Sequence, residues 1–173
     1  RHEISPKKIS SGKWLSVMET AHGVGLESTA TMMMGSIEIT AERIEHLKKI
    51  RDLQDRTGGF RSFIPWTFTS VNTELGGKEL SSIEYLRTLA VSRIYLDNVK
   101  NIQGSWVTQG KDIGQISLFF GANDLGSIML EENVVKAAGT ENRITEDEMV
   151  ALIKGAGKSP VQRNTEYCVV KTY

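Results

Sequence analysis

The sequence predicts an α/β fold, the C-terminal half (about four βα units) of a TIM-type parallel barrel, and three observations carry that prediction. Compact apolar strand candidates alternate with amphipathic helical stretches along the chain. Their centres, near Thr31, Phe63, Ser105 and Ala122, lie 32, 42 and 17 residues apart, so two full βα units are followed by an abbreviated third. The alternating order implies a parallel sheet, because each strand must return through a crossover to run beside the last. Four units are half of an eight-stranded barrel, and nothing ahead of Ser5 can supply the rest. The chain therefore either closes as a small open α/β sheet or lacks a first half; Arg1 in place of Met leads us to expect a chain cut from a longer one.

The first helix is placed on Trp14 to Ala21, where Trp14, Val17, Met18 and Ala21 share a face, Ser11 can cap it, and Gly23 and Gly25 stop it. Ser28 to Met34 follows as a strand ended by Gly35, expected to be buried on both faces, with Met32, Met33 and Met34 packing the sheet. Thr40 is expected to cap a second helix with Ile44, Leu47, Ile50 and Leu53 inward, Glu42 in its positive first turn, and Gly58 and Gly59 at its end. A second strand runs from Phe60 to Trp66. Ser81 and Glu84 form a capping box before a helix with Ile83, Leu86, Ala90 and Ile94 inward, followed by a strand from Ile102 to Val107. A shorter helix over Ile113, Ile116 and Leu118 leads to the fourth strand at Phe120 to Asp124. Thr145 and Glu148 make a second capping box for a helix that turns Met149, Leu152 and Ile153 inward and stops at Gly155, Gly157 and Pro160. No linker or low-complexity stretch interrupts the series, so residues 1–163 read as one half-barrel and 164–173 as a terminal tail.

Composition narrows the function. The 173 residues are 39% hydrophobic and 24% charged, with no apolar run near the ~18 residues of a membrane span, so neither a membrane protein nor a disordered tail is expected. Lys+Arg 21 balances Asp+Glu 21, which leaves no global positive field to gather nucleic acid or an anionic membrane. The single cysteine, Cys168, with His2, His22 and His46 scattered, makes neither a disulfide nor a structural zinc site and fits a reducing cytoplasm. His22 and His46 fall on helices and are read as solvated or structural.

In parallel βα architectures the reacting groups gather where strands end, since the loops there are free to vary. Those ends offer Ser36 and Glu38; then Trp66, Thr67, Asn72 and Thr73; then Gln103, Ser105, Trp106 and Gln109; then Asn123 and Asp124. The set is rich in amides, hydroxyls and indoles and holds no lysine, histidine or cysteine, which argues against Schiff-base and hydrolytic chemistry. It suits a polar organic ligand with aromatic rings, held while a cofactor does the bond breaking. Each member also has a plainer reading: Glu38 as support for the next helix start, Trp66 and Trp106 as core, Asn123 and Asp124 as a turn. Neither a G-x-x-x-x-G-K-[ST] nor a G-x-G-x-x-G pattern is present, so nucleotide phosphates have no ready cradle.

At these strand ends the chain resembles a known family. The stretches SPKK (Ser5 to Lys8), STATMMMG (Ser28 to Gly35), TGGFRSFIPWTF (Thr57 to Phe68), NTEL (Asn72 to Leu75), EYLRTLAVSRIYLDN (Glu84 to Asn98), NIQGSWVTQG (Asn101 to Gly110) and GANDLGSIMLEENVVKAAG (Gly121 to Gly139) are similar to the C-terminal half of the cyclic dehypoxanthinyl futalosine synthases. These are radical S-adenosylmethionine enzymes of the futalosine route to menaquinone. Aminofutalosine synthase and the deazaflavin-forming synthases resemble the GANDLG and SW regions and are less similar at FIPW, so they are the sibling alternatives; a non-catalytic α/β ligand-binding module is the alternative outside the enzymes.

The resemblance implies a complete barrel that uses S-adenosylmethionine and a four-iron, four-sulfur cluster held by a CxxxCxxC loop. It implies an adenosyl radical that takes a ribose hydrogen from dehypoxanthine futalosine, after which the carbon radical closes onto the ring. No CxxxCxxC is present here, so the cluster ligands belong to the missing N-terminal half, this chain holds no metal, and alone it is expected to be inactive. Ser36 stands where the family pattern has histidine (GSIE for GHVE), which leaves Glu38 with Asp124 as the expected catalytic residues. Ile64, Trp66, Asn72, Gln103, Ser105, Trp106 and Asn123 are expected to contact substrate or S-adenosylmethionine, with Ile64 near the adenine and the two tryptophans walling the pocket.

Overall fold

The computed structural model describes residues 3–70, 73, 75, 79–128 and 142–173. Its elements in chain order are α1 (Ser11–Gly23), β1 (Ser28–Met34), α2 (Thr40–Thr57), β2 (Phe60–Thr67), α3 (Ser82–Tyr95), β3 (Asn101–Ile102), α4 (Trp106–Gln109), α5 (Lys111–Ser117), α6 (Glu146–Gly155), β4 (Val161–Arg163) and β5 (Val169–Thr172). β1, β2 and β3 form a parallel sheet in that order. The α/β class and the parallel sheet are as the alternation of elements predicts.

Several element ends follow the sequence closely. α1 is capped by Ser10, one residue ahead of the expected Ser11, whose side chain accepts from the Lys13 N–H. Ile39 rather than Thr40 occupies the cap position of α2, and Glu42 supplies the missing acceptor by taking the Ile39 N–H at 2.8 Å. The expected end of α2 holds, with Gly58 donating its N–H to the Gln54 carbonyl. At α6 the capping box forms in full: Thr145 accepts from the Glu148 N–H and Glu148 from the Thr145 N–H.

β1 departs from the expectation of burial on both faces. Ala30, Met32 and Met34 are buried while Thr29 and Thr31 are exposed, the alternation of a strand packed on one side. The buried side meets Leu47, Ile50 and Leu53 of α2 and Tyr85 and Leu89 of α3 in one core, to which β2 adds Phe63 and β3 adds Ile102. Pro65 fits mid-sheet because of where the ladder ends. Gln103 donates to the Phe63 carbonyl, Pro65 turns its missing N–H to that same side, and there the partner strand has already left.

The third strand is shorter than the predicted Ile102 to Val107. Pairing stops after Ile102 except for a bridge between Gln103 and Asp124, which is what remains, among the described residues, of the fourth strand. Gly104 gives its N–H to the Asp124 carbonyl and accepts from Trp106, turning the chain into α4. Trp106 then seeds a second core with Leu125 and Ile144, against which Met149, Leu152 and Ile153 of α6 pack as their spacing predicts.

Val161–Arg163 and Val169–Thr172 pair antiparallel, so the segment expected as a tail beyond 163 is one arm of a hairpin that the expected boundary would cut. The hairpin is held to β2 by Arg61, which donates to the Thr165 carbonyl, and to α6 by Lys171 and Tyr173, both on Glu146. No helix among the described residues is long and apolar enough to cross a membrane.

Candidate functional site

The side of the sheet opposite the α2 and α3 core carries Thr29, Thr31 and Met33 from β1 and Ser62, Ile64 and Trp66 from β2. Thr31 pairs with Ile64 in register. One step beyond the Phe63 and Ile102 pair, Gln103 falls beside Ile64, and Gln103 bridges to Asp124. A single row, Thr31, Ile64, Gln103 and Asp124, thus crosses this face, with Trp66 one strand step nearer the C-terminal rim. Hydroxyl, aliphatic, amide, carboxylate and indole groups stand side by side on a rigid sheet. That combination can hold the polar and the flat parts of one organic ligand.

Gly126 shapes the row. It adopts φ +72, and a Cβ there would lie 2.7 Å from the Gln103 amide nitrogen, so a side chain would displace the amide from its place. The Asp124 side chain is 8% exposed. Its carboxylate accepts the Gly126 N–H at 2.6 Å and pairs with Arg163 of the hairpin, whose guanidinium also lies over the Tyr167 ring.

Other expected site residues lie elsewhere. The Glu38 carboxylate, in the loop after β1, accepts from the Gly35 N–H (2.6 Å), the Ser36 N–H and hydroxyl (both 3.0 Å) and Arg43 (2.9 Å). Burial pushes this carboxyl up, but the amide donors of Gly35, Glu38 and Ser36 outweigh it and hold the group below its ordinary value. Both oxygens are thus engaged in fixing the β1–α2 loop, a placement in which a carboxylate is a weak proton acceptor. Asn123 turns away from the row: its Oδ1 accepts from Arg93 and the Ile102 N–H, and its Nδ2 donates to the Lys100 carbonyl, so it ties α3 to the start of β3. Ser105 is buried, its N–H on the Tyr85 hydroxyl at 2.6 Å and its own hydroxyl on Thr108 at 2.9 Å. Trp106 is 1% exposed and is a core residue rather than a pocket wall in this structure. Asn72 lies outside the described residues.

The structure therefore brings together Ile64, Trp66, Gln103 and Asp124, and separates from them Glu38, Ser105, Trp106 and Asn123. Thr31 joins the row although the sequence reading passed over it; its signal was strand alternation, which placed Thr29 and Thr31 on the face opposite Ala30 and Met32. Among the described residues no group of three or more His, Cys, Asp or Glu is placed to hold a metal, and Cys168 is exposed on the hairpin.

Fold and row together define a parallel βα unit with one sheet face turned away from the helices. Comparison with known proteins then fixes the family: a family model described as the CofH/MqnC C-terminal region matches residues 57–172, and the chain belongs to that family. The chain is 56% identical to cyclic dehypoxanthine futalosine synthase of Streptomyces coelicolor over 168 residues, 96% of this chain and 42% of that protein. It is 44% identical to the protein of the same name from Halalkalibacterium halodurans, over all of this chain and 47% of that one. It is 40% identical to aminodeoxyfutalosine synthase of Thermus thermophilus, again over the whole chain and 48% of the relative. The chain spans about half the length of the curated relatives it matches.

Proposed function

We propose that this chain is the C-terminal half of a TIM-type barrel in a cytoplasmic radical S-adenosylmethionine cyclase that converts dehypoxanthine futalosine to cyclic dehypoxanthinyl futalosine in menaquinone biosynthesis. The observation that carries the reading is the row Thr31, Ile64, Gln103 and Asp124 on the sheet face turned from the helices, the face that lines the interior when a parallel sheet closes into a barrel. The 56% identity over 96% of the chain to a protein named for that reaction supports the specific cyclase over its siblings.

The four-iron, four-sulfur cluster does not fit the residues present: one exposed cysteine cannot supply three thiolates, so its ligands belong to the remaining half of the protein. The adenosyl group of S-adenosylmethionine fits the row better. Ile64 offers an apolar surface for a base, and Thr31 and Gln103 offer hydrogen-bonding groups for a ribose. In this reading the chain's residues orient the substrate sugar against its ring and exclude water from the reacting centre.

The test is anaerobic incubation of the full-length protein with dehypoxanthine futalosine, S-adenosylmethionine and a reductant. The expected product is two hydrogens lighter than the substrate. Recovery of unchanged substrate from protein with its cluster intact overturns the reading. The identity to aminodeoxyfutalosine synthase makes that protein's reaction the second one to assay.

A further inference from the structure

Among the described residues, one buried polar atom at the strand-end rim is left without a hydrogen bond. Gln109, the last residue of α4, reaches across to the end of β2, where its Nε2 donates to the Thr67 hydroxyl at 2.8 Å. Its Oε1 is buried and accepts no hydrogen bond among the described residues.

The loop that carries Gln109 is held from several sides. Trp106 is sunk in the second core, the Ser105 N–H rests on the Tyr85 hydroxyl, and Asn142 donates to the Val107 carbonyl at 2.9 Å. Gly110, at φ +84, turns the chain away immediately after Gln109 and gives its N–H to the Trp106 carbonyl. The backbone on both sides of Gln109 is therefore fixed, and the bond to Thr67 sets the direction of the amide. A buried acceptor fixed in place and left open is disfavoured in the free protein, and a ligand donor that fills it recovers the loss on binding.

We propose that Gln109 is a substrate-binding residue whose Oε1 accepts a hydrogen bond from a hydroxyl or N–H of the ligand, with Thr67 as the positioning residue that aims it. The inference rests on the function proposed above, whose substrate offers ribose hydroxyls as donors.

The experiment uses the full-length protein and dehypoxanthine futalosine. Gln109→Met keeps the length of the side chain and removes the acceptor; Thr67→Val removes only its support. Gln109→Met is expected to raise the Kd from calorimetry and the KM by about tenfold, the loss of one buried hydrogen bond. Its Tm should stay close to the wild-type value, because loss of the unpartnered oxygen offsets loss of the Nε2 bond to Thr67. Thr67→Val should raise the Kd less, and the double variant should be no worse than Gln109→Met alone. An unchanged Kd in Gln109→Met, with wild type binding normally, overturns this inference and leaves the proposed function standing. A drop in Tm with unchanged Kd shows a structural role and overturns it equally. Wild type that fails to bind the substrate overturns the function and this inference together.

Discussion

Arg43 and Glu38 show how much of this protein's chemistry is spent on holding a loop. The Arg43 side chain is 10% exposed and bonds Glu38 at 2.8 Å and Glu84 at 3.0 Å, so one buried guanidinium joins the β1–α2 loop to α3. Removing it leaves Glu38, whose side chain is 16% exposed, without its cationic partner, while Glu84 remains well solvated. Arg43→Met should therefore cost about 2–4 kcal/mol in urea denaturation, most of it through Glu38. The Glu38 carboxyl sits below its ordinary value of 4.5 in the folded protein, so its contribution is complete above that value and is lost as pH falls from there through the lowered folded value. Glu38→Gln should consequently lie below wild type by a constant amount near neutrality and converge on it under acid. Denaturation curves that stay parallel down to the acid limb would show that the carboxylate contributes through shape alone. Glu38 was visible in the sequence as a polar residue at a strand end, but strand-end position does not separate a group that waits for substrate from one already satisfied by four neighbours. Asn123 poses the same ambiguity and resolves the same way, on Arg93.

α3 marks the limit of periodicity at the level of the element. Ile83 and Ile94 read as inward by spacing, yet they are 72% and 79% exposed, while Tyr85, Leu89 and Ser92 are buried. Two hydroxyls explain the difference: Thr88 donates to the Glu84 carbonyl and Ser92 to the Thr88 carbonyl, so small polar side chains satisfied by their own helix can face the sheet at close range. Tyr85 fixes the rotation, since its hydroxyl takes the Ser105 N–H, and burial holds the phenol neutral with its pKa pushed up to about 12. The Ser81 cap forms, but the Glu84 side chain that should complete the box is drawn to Arg43. Leu89→Ala should cost about 2–5 kcal/mol and Ile94→Ala less than about 0.5, the reverse of what apolar spacing suggests, and chemical denaturation of the two variants checks it. β1, α2, β2 and α6 were legible because their apolar runs lie between residues that start and stop such elements. β3 was not, because Gly104 ends its pairing by a turn whose acceptor, the Asp124 carbonyl, is 20 residues away in sequence.

At the scale of the whole molecule, the sheet packs one face and shows the other. Three strands with β1 at an edge leave a row of backbone groups unpaired on that side, and Thr29 and Thr31 beside it are exposed. The arrangement that suits such a face is closure by further strands, which also turns Ile64 and Trp66 from half-exposed to interior positions. The unit count led to the expectation of a half-barrel, and Ile64, Gln103 and Asp124 of the row were among the residues singled out in the sequence. Trp106, expected at the pocket wall, packs in the second core; an indole at a strand end reads alike whether it serves the core or the ligand. The tryptophans now provide a direct measurement of closure. Trp106 is shut in the second core and Trp14 packs against Phe60 at 6.1 Å, so of the three only Trp66 lies on the open face. If the proposed barrel forms, the isolated chain should emit at longer wavelength than the full-length protein, and Trp66→Phe should remove that part of the difference in both. The isolated chain should also self-associate with rising concentration as its sheet edge finds partners, and sedimentation should show the association lost when the remaining half is supplied. A monomeric isolated chain with the same Trp66 emission as the full-length protein would mean that the sheet is complete as it stands, and that the row is an open surface rather than the wall of an enclosed chamber.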